Sequence, residues 1–230
     1  MKKLVYKVNI LKKSKIKKII DGKIKEFYIL GKKPINNIFK ELCFCILTAN
    51  FQAEKSIFIQ KKINSGFLTL TKKQLASKLK KLGHRFPNMR AKYIVEARQH
   101  KNELKKVLDT NNNKFKTNNN EETKEINEKT KREWIVKNIK GLGMKESSHF
   151  LRNIGYNNVA ILDFHVIDLL VENKIISRTK TSTGKATKTL SQKKYLEIEK
   201  ELSKLCKKTK LTQAQLDLYL WYIETGKVLK

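Results

Sequence analysis

Apolar residues recur along this chain with the spacing of helices rather than strands. Phe39, Leu42, Cys43 and Ile46 fall on one helical face, and Leu75, Leu79 and Leu82 do the same before Gly83. Leu196, Ile198, Leu202 and Leu205 predict another helix, and Leu216, Leu218, Leu220 and Ile223 a further one. Thr71 with Gln74, and Thr212 with Gln215, have the spacing of capping boxes, in which the hydroxyl accepts from a first-turn amide while the glutamine reaches back. Strict alternation over a strand-length window is nearly absent, and the chain contains only 2 prolines. The class is all-α.

Two stretches break this periodicity. Residues 109–131 (DTNNNKFKTNNNEETKEINEKTK) are low in complexity, nearly charge-balanced and poor in apolar side chains. They bury too little surface to offset ordering, which predicts a solvated loop between lobes. Residues 177–189 (SRTKTSTGKATKT) predict a second flexible insertion. The remainder suits a single unit spanning residues 1–230, built from two helical lobes with a cleft between them.

Glu133 to Val166 carries the densest information. Trp134 to Ile139 predicts a helix ending at Lys140-Gly141-Leu142-Gly143, and a second helix starts near Met144 and stops before Gly155. Two glycines around one apolar residue make a tight hairpin, in which Leu142 turns inward and the amides of Gly141 and Gly143 face outward. Amides at the start of a helix suit a DNA phosphate. The stretch 133–166 therefore has the pattern of a helix-hairpin-helix motif followed by an acidic segment.

Chain geometry then brings two chemically useful residues together. A helix of about eleven residues from Met144 extends roughly 16 Å. Gly155 reverses the chain, and about seven extended residues from Tyr156 to Leu162 span roughly 20 Å back. Asp163 is thereby expected close to Lys145. A lysine at a helix N-terminus, near a cation such as Lys140, is disfavoured as an ammonium. A neutral amine there can attack C1′ of a deoxyribose, displace the base and form a Schiff base, after which beta-elimination would cut the strand on the 3′ side. Asp163 would stabilise positive charge on the sugar and shuttle protons. Taken singly, each residue has an ordinary reading: a surface lysine, and an N-cap aspartate before the helix Phe164–Glu172. His165 is read as structural.

The charge balance narrows the partner. A formal net charge of +31 attracts a polyanion, with nucleic acid first and a membrane surface second. An AT-rich coding sequence also inflates Lys and Asn, so charge alone does not decide. No apolar stretch reaches the roughly 20 residues of a membrane span. The basic segment Met1–Lys18 lacks the apolar run of a secretory signal. Cys43, Cys45 and Cys206 lack metal spacing and read as reduced, buried thiols of a cytoplasmic protein. Neither cofactor nor metal is expected. On a DNA-binding protein, the two atypical stretches have a second reading as extra contact arms.

The segments FKELCFCILTANF, LGHRF, NIKGLGMKESSHFLRNIGY, ILDFH, KYLEIE and LDLYLWYIETGKVLK together resemble the type-2 8-oxoguanine DNA glycosylase/lyase family, within the helix-hairpin-helix glycosylase superfamily. The resemblance runs from about residue 36 to the C-terminus. It implies a two-lobed α-helical fold with a DNA-binding cleft, removal of oxidised guanine and cleavage of the abasic strand. The family's catalytic lysine and aspartate fall on Lys145 and Asp163. Phe86 and Trp221 match the aromatic pair around the extruded base, and Lys230 matches a terminal lysine lining the base pocket. Asn50 matches the residue that fills the gap in the duplex, although it also reads as a loop-capping asparagine. Arg85, Arg90 and Arg152 are expected as phosphate contacts or surface ion pairs. Only Cys206 lies in the C-terminal half, so the iron–sulfur cluster of endonuclease III relatives is not expected. The partner implied is double-stranded DNA containing 8-oxoguanine, bound by a monomer. Two alternatives remain at this point: a lyase for oxidised pyrimidines, and a non-catalytic helix-hairpin-helix module that only grips DNA.

Overall fold

The computed structural model describes residues 1–109, 121–177 and 190–230, residues 121–126 by their backbone alone. Among the described residues there are helices and no strands. The chain divides into two compact units, one from Met1–Glu26 and Asn157–Leu229, the other from Phe27–Tyr156 with Lys230.

In the first unit, α1 (Lys2–Leu11) and the start of α2 (Lys15–Gly31) join α11 (Phe164–Glu172), α12 (Gln192–Thr209) and α13 (Gln213–Thr225). Leu4 and Val8 of α1 are fully buried, and α1 packs on α12 and α13. The Lys12 ammonium donates to the Thr209 carbonyl at the end of α12. The capping box at Thr212 forms as its spacing requires, and Gly226 ends α13 in the left-handed conformation. Leu196 is the exception to its predicted face: it is exposed while Ile198, Leu202 and Leu205 are buried.

The second unit is assembled around α3 (Ile35–Thr48), in which Ile38, Phe39 and every residue from Glu41 to Thr48 are buried. Against it lie α4 (Ala53–Ile63), the short α5 (Gly66–Thr69), α7 (Pro87–Ala97), α8 (Lys101–Asp109) and α10 (Met144–Asn153), while α6 (Lys72–Lys81) packs on α7 and α9 (Glu121–Asn138) packs on α8 and α10. The Thr71–Gln74 capping box starts α6. Cys43 and Cys45 are fully buried in α3, and burial raises both thiols well above their ordinary range. Cys206, expected to be buried, is partly exposed on α12.

One sequence expectation fails here. The loop predicted over 109–131 is helical from Glu121, as the first turns of α9. Residues 110–120 lie outside the described residues, as do 178–189 of the second predicted insertion. The expectation weighed apolar side chains only, but long cationic side chains bury their stems as well. Lys131 and Arg132 are 2% and 0% exposed. The Lys131 ammonium donates to the Val107 carbonyl at 2.7 Å, and Arg132 to the Ser148 hydroxyl at 3.1 Å. Burial lowers the pKa of Lys131.

Helix α10 ends as its sequence predicts. The Tyr156 amide reaches the Leu151 carbonyl and the Gly155 amide reaches that of Arg152, with Gly155 at φ +94°. A Cβ at this glycine would lie 3.0 Å from the Cα of Tyr28. Gly155→Ala is therefore expected to destabilise the fold by about 2 kcal/mol, through the left-handed backbone and the contact with α2 together. Thermal or urea unfolding checks this; an unchanged midpoint would contradict it.

Candidate active site

The hairpin connecting α9 and α10 has the predicted shape. Leu142 is 4% exposed and anchors the turn, while Gly143 is exposed. Gly141 adopts φ +87°, and a Cβ there would enter the ring of Tyr93 at 2.4 Å, so no other residue fits. Gly143 is the N-cap of α10 and supplies no side-chain cap. Among the described residues, no backbone acceptor takes the amide of Gly141 or of Gly143. With the unsatisfied amides of the first helical turn, these donors make a site suited to an anion.

Lys145 lies in that first turn, with its side chain 28% exposed. The charge beside it differs from the expectation. Lys140 is turned to Glu96, with 3.3 Å between charged atoms, whereas the Glu146 carboxylate lies 3.7 Å from the Lys145 amine. Beyond Lys145, α10 is buried without a break from Ser147 to Asn153. The amine therefore stands at the open end of a helix whose body is fixed in the core.

That fixing depends on a buried carboxylate. Glu41 of α3 is 3% exposed. It accepts from Asn153 of α10 at 2.7 Å, from Gln60 of α4 at 3.0 Å, and from the Lys230 ammonium at 2.8 Å. Lys230 also lies 4.1 Å above the ring of Phe44. A terminal lysine is ordinarily frayed; this one is held. Sequence reading overlooked Glu41, although its place on the apolar face of a core helix is the signal that marks it.

Asn50 and Phe86 are positioned by a second polar cluster in the same unit. Asn50 is exposed at the turn after α3, with φ +57°, a conformation asparagine tolerates. The Arg90 guanidinium donates to the carbonyl of Ala49, the preceding residue. The His84 Nε2–H donates to the Leu47 carbonyl at 3.1 Å, while Nδ1 accepts from the Phe86 amide at 3.0 Å. One neutral imidazole thus ties the Asn50 turn to Phe86. Burial is the main reason its pKa is lowered, and the Arg90 charge adds to the effect. Phe86 is half-buried, within 5.0 Å of the Arg85 guanidinium and 5.7 Å of that of Arg90. Arg90 and Arg152 are buried rather than displayed as surface cations, and Arg152 stacks 4.7 Å from the ring of Phe27. Their flat guanidinium groups serve the interior.

Asp163 belongs to the first unit. It is the N-cap of α11, and its carboxylate accepts from the Val166 amide at 2.9 Å. The run leading to it, Val159 to Leu162, is buried irregular backbone whose polar groups need partners. Side chains one turn apart on α12 provide them. Glu199 accepts from the Ala160 amide at 2.8 Å, and the Tyr195 hydroxyl donates to the Ala160 carbonyl at 2.6 Å. The same hydroxyl accepts from the Leu162 amide at 3.3 Å. These contacts explain the KYLEIE segment. Trp221 packs edge-on to His165 at 4.8 Å, His165 lies 3.9 Å from the exposed ring of Phe164, and the Trp221 indole N–H is buried without a partner among the described residues.

The family model described as 8-oxoguanine DNA glycosylase matches residues 20–211. The 8-oxoguanine DNA glycosylase/AP lyase of Methanocaldococcus jannaschii is 49% identical over 227 residues, covering 99% of both chains. That of Korarchaeum cryptofilum is 43% identical, covering 99% of this chain and 98% of its own. The crystal structure of the Methanocaldococcus jannaschii glycosylase/lyase with a 15mer DNA containing 8-oxoguanine superposes with a TM-score of 0.86 at 49% identity, covering 99% of each chain. The similarity thus includes the N-terminal helices, ahead of the start near residue 36 inferred from motifs.

Two stability measurements test these assignments. Asp163→Ala, which removes the cap of α11, should cost about 1 kcal/mol, whereas Asp163→Asn, which keeps an acceptor, should cost only a few tenths. Equal losses in urea unfolding would contradict the capping geometry. Between the lowered pKa of His84 and its ordinary value near 6.5, the unfolded chain binds a proton that the folded chain refuses. This stability is complete above about pH 6.5 and declines as the pH falls below it. His84→Gln should flatten that decline in unfolding experiments between pH 7 and 5; an unaltered slope would assign it elsewhere.

Proposed function

Since the chain belongs to the 8-oxoguanine DNA glycosylase family, we propose that it excises 8-oxoguanine from double-stranded DNA and then cuts the strand at the abasic site. The observation that carries the mechanism is Lys145 in the first turn of α10, directly after a hairpin with uncapped amides. Gly141 and Gly143 hold a DNA phosphate through those amides. The amine of Lys145 attacks C1′ as the glycosidic electrons leave with the base, which takes up a proton. Loss of the amine protons and opening of the sugar give a Schiff base between Lys145 and C1′. Abstraction of a proton from C2′ then expels the 3′ phosphate by beta-elimination. Asp163 stabilises positive charge developing on the sugar and assists the proton transfers.

The other assignments concern recognition. Phe86 and Trp221 stack on the extruded base, a use consistent with a half-buried phenyl ring and an indole N–H left without a partner. Lys230 lines the base pocket, held in place by Glu41. Asn50 fills the gap left in the duplex from its exposed turn. The protein acts as a monomer in the cytoplasm, and among the described residues no helix is long and apolar enough to cross a membrane.

Borohydride trapping tests this reading directly. The full chain, incubated with a duplex containing 8-oxoguanine and borohydride, should form a covalent protein–DNA adduct that Lys145→Gln abolishes. Asp163→Asn should retain DNA binding and lose at least about tenfold in single-turnover excision. No adduct from the parent protein would sink the Schiff-base chemistry. An undiminished adduct from Lys145→Gln would move the nucleophile to another residue, and a non-catalytic DNA-gripping module would show binding without any adduct.

A further inference from the structure

His149 is a buried polar group that the chemistry above leaves without a task. It follows Lys145 by one turn on α10, so the two residues share a helix face. The side chain is 6% exposed, and neither ring nitrogen completes a hydrogen bond among the described residues. The ring stands edge-on to Phe44, at 5.6 Å and 79°. The same phenyl ring carries the Lys230 ammonium at 4.1 Å. The backbone of Lys230 lies beside the imidazole without closing a hydrogen bond. Burial first, and the charges of Arg152, Lys145 and Lys230 after it, push the His149 pKa well below its ordinary value, so the ring is neutral.

A neutral imidazole in this place is costly. It offers one donor and one acceptor, and a buried polar group with neither satisfied weakens the fold. Phenylalanine would fill similar space with no such cost. What the site retains is a rigid donor–acceptor pair between the proposed nucleophile and a residue of the proposed base pocket. Oxidised guanine differs from guanine in carrying a proton on N7 and an oxygen on C8, so that edge presents a donor beside an acceptor.

We propose that His149 is a specificity-determining residue that hydrogen-bonds the extruded oxidised guanine, which supplies the partners its ring lacks in the free protein. This rests on the glycosylase/lyase reading above, and it assigns His149 to base removal rather than to strand cutting. A preformed abasic site has no base to bond.

The test compares the full-length parent, His149→Phe and His149→Gln on two duplexes, one with 8-oxoguanine and one with a preformed abasic site. His149→Phe should unfold at the parent's temperature or above it, because the unpaired nitrogens are gone. Its single-turnover excision should fall about tenfold relative to its abasic-site cleavage, as expected for a lost hydrogen bond to the base. His149→Gln, which keeps a donor and an acceptor, should stay within about threefold of the parent. Parent-like excision by His149→Phe overturns the proposal. So does a matching loss on both duplexes with a lowered unfolding temperature, which would mark a packing role. If His149→Phe does not fold, a loss by His149→Gln equal on both duplexes overturns it, and a loss confined to excision supports it. A parent protein inactive on both duplexes overturns the glycosylase/lyase reading itself, a result distinct from an active parent insensitive to His149.

Discussion

The second unit depends on one buried carboxylate. Glu41 sits in the middle of a core helix, where an unpaired negative charge would be severely unfavourable. Asn153, Gln60 and Lys230 satisfy it from α10, α4 and the chain's last residue. A buried ion pair of this kind adds little net stability compared with apolar packing, but removing one partner is costly. Its structural consequence is register. Asn153 cannot slide along α3 without abandoning Glu41, so α10 is fixed along its axis, and with it the positions of Lys145 and His149.

The first unit solves a different problem by similar means. Asp163 is reached through buried backbone that is neither helix nor strand, and such backbone has no ladder to satisfy it. Tyr195 and Glu199 accept and donate in place of that ladder. Asp163 then spends one carboxylate oxygen on the Val166 amide, which orients the side chain at the helix start. Its capping role and its proposed chemical role are compatible, because a cap holds the carboxylate in one place.

Beside these satisfied groups stand others without partners. The amides of Gly141 and Gly143, both nitrogens of His149 and the Trp221 indole N–H all lack partners among the described residues. The buried ring nitrogens are a cost in the free protein that a ligand can remove, whereas Gly143 is open to solvent. The hairpin amides suit an anion.

Local sequence determined a great deal. Helix periodicity, both capping boxes, the inward Leu142 and the glycine stop at Gly155 were all legible, because each depends on residues within a few positions of one another. The motif strings were enough to imply the family, since GLGMK and ILDFH are local as well. Tertiary structure decided what depends on distant partners. Residues 109–131 look like a solvated loop by composition, yet Lys131 at its end is buried, as is the next residue Arg132, because Val107 and Ser148 receive their donors. Lys140 looks like a neighbouring cation for Lys145, yet it turns to Glu96, and Glu146 is the charge beside the amine. Glu41 has only its place on an apolar helix face to mark it, and His84 and His149 carry no local signature of their partners. A polar residue in an apolar helix can be an exposed interruption, a buried tie or an unpaired ligand contact. Which of these it is depends on groups tens to hundreds of residues away, and only the folded chain brings them within hydrogen-bond distance.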